Sequence, residues 1–363
     1  MREALIRPAN IAHNIQVLQQ AAGVGEAMLV VKADGYGHGA LTAARAGLDA
    51  GATWLGTADI DEALALRQAG IDAPILAWLI GPESSVAEAV ETGVDLGVSS
   101  LPQLEQVGRH ASVAKPANVH LKIDSGMGRG GVVEAEWEEV AARAAALQSK
   151  NLIDVRGIFT HLSLKSAESD RAQLERFATA REVVAAAGLD PEIIHGGASV
   201  GAIRTPSSEF TMARFGIAAY GYPMVSELEP LGLKPAMRLS GQVILTKSLP
   251  AGHGVGYDLT YETSRDTTMA VVPLGYADGI PRHASSQGPV VIGEQRFRVA
   301  GRVSMDQISI DVGDAAVSVG DWAVIWGDPT EGHPSAADWA ELADTIPYEL
   351  VCRVGSRVPR VVA

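Results

Sequence analysis

A lysine stands at position 32, where the apolar run Met28 to Val31 gives way to Ala-Asp-Gly-Tyr-Gly-His-Gly. A lysine at a strand tip can be half-buried, and desolvation of its ammonium lowers the pKa toward the range where the free amine acts as nucleophile or base. Gly35, Gly37 and Gly39 allow backbone conformations and close ligand approach that a Cβ would forbid. On its own the stretch fits equally well a lysine snorkelling at the end of a core strand. Other chemically able residues fall in comparable places, at or just past short apolar runs: Tyr36; Lys122, Asp124 and Arg129; His161; His195 and Ser199; Arg214.

Those residues need strands and helices to bring them together. Pro8 opens a helical pattern with Ile11, Ile15 and Leu18 on one face, and Gly23 and Gly25 end it. Apolar runs at 28 to 31, 53 to 57, 74 to 78, 94 to 98, 119 to 123, 155 to 159, 192 to 195 and 211 to 215 then alternate with amphipathic stretches. Asp59 with Glu62 three residues on reads as an N-cap pair for one of the intervening helices. Eight short strands separated by helices predict a parallel (β/α)8 barrel, with polar residues past the strands converging on its carboxyl-end face. A doubly wound open sheet is the structural alternative, but no GxGxxG follows an early strand.

From about Leu231 the texture changes to shorter runs rich in Val, Ile and Thr, at 242 to 246, 269 to 273, 290 to 292, 297 to 300, 308 to 312 and 322 to 326. This predicts a TIM-like barrel domain over 1–230 and a mostly β domain over 231–363, with one short helix at 335 to 344. The Glu227-Leu228-Glu229-Pro230 stretch is the linker candidate. A formal charge of -14, with no Lys/Arg cluster, argues against a nucleic-acid partner. No apolar run is long enough for a membrane span, so the cytoplasm is the expected location. The single cysteine, Cys352, excludes an intrachain disulfide and a multi-cysteine metal site, and reads as a small buried hydrophobe. No metal is expected.

Six motifs, taken together, closely resemble the alanine racemases: Val-Val-Lys-Ala-Asp-Gly-Tyr-Gly-His-Gly (30 to 39), His-Leu-Lys-Ile-Asp-Ser-Gly-Met-Gly-Arg-Gly-Gly (120 to 131), Arg-Phe-Gly-Ile-Ala-Ala-Tyr-Gly (214 to 221), Gly-Tyr-Ala-Asp-Gly (275 to 279), Ser-Met-Asp-Gln (304 to 307) and Pro-Tyr-Glu (347 to 349). They run in the family's order through both expected domains. The resemblance implies pyridoxal 5′-phosphate (PLP) held as a Schiff base on Lys32, and a head-to-tail homodimer with a shared active site. It places the cofactor phosphate at the amides of Gly216 and Ile217 and the hydroxyls of Tyr36, Ser199 and Tyr348. Arg214 matches the arginine facing the pyridine nitrogen, where a guanidinium weakens the ring as an electron sink, and His195 could orient it.

Racemisation removes a proton from one face of the α-carbon and returns one on the other, so two acid/base groups are needed. The resemblance gives these roles to Lys32 and to Tyr276, the tyrosine being supplied across the dimer and assisted by His161. Arg129 and the backbone at Met305 match the substrate-carboxylate site. Lys122 matches a position that carries a carbamate in some relatives; a lysine paired with Asp124 fits equally well. Two departures stand out: Gly196-Gly197-Ala198 precedes Ser199 where many relatives read Ala-Asn-Ser, and Ser304 stands where cysteine is common. The implied activity is interconversion of L- and D-alanine for peptidoglycan. The alternatives are a racemase of broader specificity, a PLP-dependent decarboxylase and a non-catalytic PLP-binding protein.

Overall fold

The structure, a computed structural model, describes residues 1–206 and 210–363. The chain forms two compact units: Ile11–Gly35 with Ala40–Leu233, and Met1–Asn10 with Tyr36–Gly39 and Lys234–Ala363.

Strand β1 (Arg2–Ile6) belongs to the second unit, so the first ten residues leave the barrel to which their position in the sequence assigns them. Its five residues pair antiparallel with Met237–Gln242 and parallel with Arg360–Val362, partners more than two hundred residues away. The larger unit contains the eight parallel strands β2 (Glu26–Val30), β3 (Trp54–Asp59), β4 (Ile75–Leu79), β5 (Asp95–Val98), β6 (Ala117–Lys122), β7 (Ile153–Phe159), β8 (Ile193–His195) and β9 (Met212–Phe215). Pairing runs in sequence order from β2 to β8, and β9 pairs back onto β2. Between β8 and β9 the seam is held by Thr211 N–H to the Ile194 carbonyl, Arg214 N–H to the Gly197 carbonyl and a bridge from Ala198 to Arg214. The sheet is therefore a nearly closed barrel.

Each of β2 to β8 is followed by a helix that returns the chain to the next parallel strand, as this connection requires. Ser100 and Ser166 cap the helices Leu101–His110 and Ala167–Ala186 by accepting the amides of Gln103 and Ser169. Met28, Trp54, Leu76 and Met212 fill part of the interior, with Trp78 and Ile193 packed against them. No helix among the described residues is long and apolar enough to cross a membrane.

The second unit is mostly antiparallel: a six-stranded sheet, a three-stranded sheet and a short two-stranded ribbon. The single run read at 242 to 246 is two strands, Met237–Gln242 in the larger sheet and Leu245–Leu249 in the smaller, with the chain crossing between sheets inside it. The helix expected at 335 to 344 spans Ala336–Leu342, with a reciprocal cap between Ser335 and Asp338. A second helix, Pro347–Cys352, carries Tyr348. Cys352 is exposed, not buried, because it lies on the face of that helix opposite Leu350 and Val351.

Candidate active site

Lys32 follows β2 directly and begins a left-handed turn. Ala33, Asp34, Gly35, Tyr36 and Gly37 all have positive φ, between 52° and 77°. L-residues pay roughly 1–2 kcal/mol each for that conformation, so Ala33, Asp34 and Tyr36 there need external support. It comes from Glu62: one carboxylate oxygen accepts the Ala33 amide at 2.7 Å, the other the Ala58 amide at 2.8 Å. Asp34 in turn accepts the Ala40 amide that starts the next helix. Asp59 caps its helix by accepting Glu62 N–H, as the sequence suggests, but the Glu62 side chain turns away to hold the lysine-bearing turn.

The carboxyl ends of β2, β6 and β9 gather cations. Burial, helped by Arg129, Arg214 and Lys32, pushes Lys122 down to about 8 against the opposing pull of Asp124. Its ammonium lies 5.9 Å from the centre of the Phe159 ring, and the Arg214 guanidinium 5.6 Å from the same ring. Lys32 stands 5.8 Å from the centre of Trp78. Asp124 does not pair with Lys122 through a hydrogen bond; it accepts the amides of Gly126 and Gly128 and so shapes the loop that carries the exposed Arg129. Four cations coupled at one barrel mouth suit ligands with several negative oxygens.

Arg214 is 5% exposed and its two terminal nitrogens are fully engaged. One donates to His195 Nδ1 at 2.9 Å and to the His195 carbonyl at 3.0 Å. The other donates to the carbonyls of Thr160 and Gly196 and reaches His161 Nδ1 at 3.2 Å. Nε–H is the donor these contacts leave over. Burial lowers Arg214 to about 10, still a cation at neutral pH. Desolvation, followed by the nearby Arg214, Arg129, Lys122 and Lys32, lowers His161 to about 3. Burial and Arg214 lower His195 well below the ordinary range. Both imidazoles are therefore neutral and present Nδ1 lone pairs to the guanidinium.

Ser199 opens the short helix Ser199–Arg204, and Gly216 precedes the single turn Ile217–Tyr220; neither start has a side-chain cap. In the second unit Tyr36 and Tyr348 stand together, ring centroids 6.2 Å apart, and burial raises the Tyr348 hydroxyl. Tyr276 is 44% exposed on a turn locked to the Ser304–Met305 segment: its amide donates to the Ser304 carbonyl and that of Ala277 to the Met305 carbonyl. Fully buried Asp278 ties the same turn to Arg2 and Arg357, and Arg357 reaches on to Asp306. Two motifs thirty residues apart thus form one surface. That surface holds a residue sequence reasoning passed over: Tyr257, 68% exposed, lines an open cleft of about 500 Å³ with Met305 and Asp306. The signal was its place in a Gly-Tyr-Asp turn ahead of a two-residue strand, where a tyrosine has nothing to pack on.

A parallel barrel with a lysine and an arginine on adjoining strands at a cationic mouth, joined to an antiparallel unit that presents exposed tyrosines, defines an enzyme of the barrel-plus-β class. Residues 6–223 match the model of the alanine racemase N-terminal domain and 236–362 that of the C-terminal domain. The chain is 46% identical over 363 residues to an alanine racemase of Thermobifida fusca, covering 99% of this chain and 97% of the relative. It is 45% identical over 354 residues to one of Frankia casuarinae, covering 96% and 92%. The crystal structure of alanine racemase from D-cycloserine-producing Streptomyces lavendulae superposes with a TM-score of 0.96 at 42% identity, covering 100% of this chain and 97% of that one. The chain belongs to the alanine racemase family.

Proposed function

We propose that the protein interconverts L- and D-alanine with PLP bound at the barrel mouth. The observation that carries the reading is the donor set there: Lys32 beside the coupled cations Lys122, Arg129 and Arg214, with Arg214 held by two neutral imidazoles. These residues fit a phosphorylated pyridine that reacts through an aldehyde. PLP joined to an amino acid draws electrons from its α-carbon and makes the α-proton removable.

In this reading Lys32 would hold the cofactor covalently, and Nε–H of Arg214, the donor its other contacts leave over, would serve the ring nitrogen. A guanidinium does not give up its proton there, so the ring stays a weak electron sink and side reactions are held down. By the family resemblance, the backbone at Gly216 and Ile217 and the hydroxyls of Ser199, Tyr36 and Tyr348 would hold the cofactor phosphate, and Arg129 with the Met305 backbone would hold the substrate carboxylate. Lys122, as a carbamate, orients Arg129 as an anion. Lys32 Nζ takes or returns the proton on one face of the α-carbon.

The second face needs a tyrosine from the partner subunit of a homodimer, assisted by His161, whose Nε2 carries the ring proton because Nδ1 accepts from Arg214. By motif this tyrosine is Tyr276. Greater exposure and a shared cleft with Met305 favour Tyr257 as a second reading. The protein works in the cytoplasm and supplies D-alanine to peptidoglycan.

The test compares Lys32→Ala, Tyr276→Phe and Tyr257→Phe. Lys32→Ala is expected to lose the absorbance of covalently held cofactor. One tyrosine variant should keep that absorbance and lose turnover by 10²-fold or more, as removal of a general acid/base does; that residue is the second base. Full turnover in both tyrosine variants would refute the two-base reading.

A further inference from the structure

We propose that His120 and Asp95 are positioning residues for Arg214, joined to it through His195 in a one-way chain of hydrogen bonds that fixes which ring nitrogens carry protons. The inference rests on the role of Arg214 given above. His195 Nε2 lies 3.0 Å from His120 Nδ1, and His120 Nε2 lies 3.2 Å from Asp95 Oδ2. His120 and His195 are fully buried and Asp95 is 1% exposed.

Only one proton arrangement satisfies all three links. A guanidinium can only donate, so His195 Nδ1 must accept from Arg214. Neutral His195 then carries its proton on Nε2 and donates to His120 Nδ1. His120, with Nδ1 accepting, carries its proton on Nε2 and donates to the Asp95 carboxylate. Protonating either ring a second time would set two N–H groups against each other in the barrel interior. The direction of every bond thus follows from the cation at one end and the carboxylate at the other.

Four strands, β5, β6, β8 and β9, supply the members of the chain, and their neighbours hold the rings in place. Phe159 stacks on His195 at 4.7 Å and 10°, fixing the plane of that ring. His120 stands edge-on to Trp54 and to His195, at 71° and 80°. The β6–β7 register shifts at Val119/His120, and a Cβ at Gly157 on the neighbouring strand would collide with the Nδ1 side of the His120 ring. At the far end Asp95 also accepts from Arg156 at 3.1 and 3.2 Å and from Asn118 at 3.0 Å, while Arg156 covers Trp54. Apolar side chains of similar volume fill a barrel interior without needing satisfied partners, so a polar chain ending on Arg214 points to specificity of orientation.

The test is long-range ¹⁵N–¹H correlation on histidine-labelled protein, with and without added PLP, together with steady-state kinetics on alanine. His195 should read as a neutral Nε2–H tautomer from pH 6 to 8, and at pH 8 His120 should carry its proton on Nε2. His120→Gln keeps one acceptor toward His195 and one donor toward Asp95; His120→Leu keeps bulk alone. We expect the leucine variant to lose about 10- to 100-fold in kcat with KM within about 3-fold, as loss of a partner one contact behind a ligand does. The glutamine variant should retain most of kcat and leave the His195 tautomer unchanged. Gly157→Ala removes no polar group and should perturb the same two ring signals. An Nδ1–H or doubly protonated His195, a folded His120→Leu enzyme with unchanged kcat, or a glutamine variant no better than leucine would each overturn the proposal. Loss of the racemase reading would show separately, as a wild-type protein that converts no alanine while the tautomers stand as described.

Discussion

Lys122 offers the sharpest quantitative expectation. Carbamate formation needs the unprotonated amine: its lone pair attacks the carbon of carbon dioxide and one N–H proton leaves. At an ordinary lysine pKa, about one amine in a thousand is unprotonated at pH 7.5. With Lys122 lowered to about 8, mainly by burial and then by Arg129 and Arg214, about a quarter is unprotonated, a gain of about 200-fold. The product is an anion among the cations that disfavoured the ammonium, so each repulsion becomes an attraction. An ideal Cβ on Gly130 would lie 3.5 Å from Lys122 Nζ, which puts the new anion beside the segment carrying Arg129. Protein equilibrated with ¹³C-bicarbonate at pH 8 should show one slow-exchanging carbamate carbon, absent in Lys122→Met. Stripping carbon dioxide at pH 6 should lower activity reversibly, with the larger change in KM if Arg129 holds the substrate carboxylate as proposed. A wild-type spectrum identical to that of Lys122→Met would refute the reasoning from burial and charge.

The buried imidazoles make the fold sensitive to mild acid. A folded-state pKa of about 3 for His161 against about 6.5 unfolded means its contribution is complete above 6.5 and falls away as pH drops below it. From pH 7.5 to 5.5 this amounts to about 1.3 kcal/mol, with His195 acting in the same direction. Urea midpoints at the two pH values measure it, and His161→Asn should shrink the difference by about 1 kcal/mol; an unshrunk difference contradicts the assignment. In the lysine turn, Gly35→Ala places an L-residue at φ 61° with Ala40 and Ala43 only 3.2–3.3 Å from the new Cβ, and should destabilise by roughly 1–3 kcal/mol in urea. Glu62→Gln keeps a single acceptor oxygen, so it removes one of the two backbone bonds, weakens the other and sets an NH2 against a backbone N–H; it should cost roughly 1–3 kcal/mol while slowing the enzyme, since it loosens the backbone next to Lys32.

Periodicity was enough to read the barrel, because each buried strand is a short apolar run bounded by turn residues. It failed where pairing is remote: Arg2–Ile6 puts two charged residues ahead of three apolar ones, with no strand alternation, and only partners at 237–242 and 360–362 make it a strand. The convergence of Lys32, Lys122, His161, His195 and Arg214 followed from their places at strand ends. What the sequence hides is the layer beneath them. Glu62 reads as a capping residue, and its second function appears only when its helix stands beside the lysine turn. Asp95 and His120 sit within apolar strands, where period and composition treat them as noise. Cys352 misled because residue type predicts burial only on average, and a short helix has two faces.

The central claim is that this chain moves a proton between the two faces of the alanine α-carbon with PLP. The most direct measurement incubates the protein and PLP with L-alanine in D₂O, following both enantiomers by chiral chromatography and α-deuterium by mass spectrometry. L-Serine, L-lysine and L-arginine serve as rivals, and evolved carbon dioxide is monitored. The account expects D-alanine to rise toward an equal mixture, carrying deuterium at the α-carbon, with little conversion of the rivals and no gas. Carbon dioxide release, or bound PLP with no D-alanine formed, would contradict it.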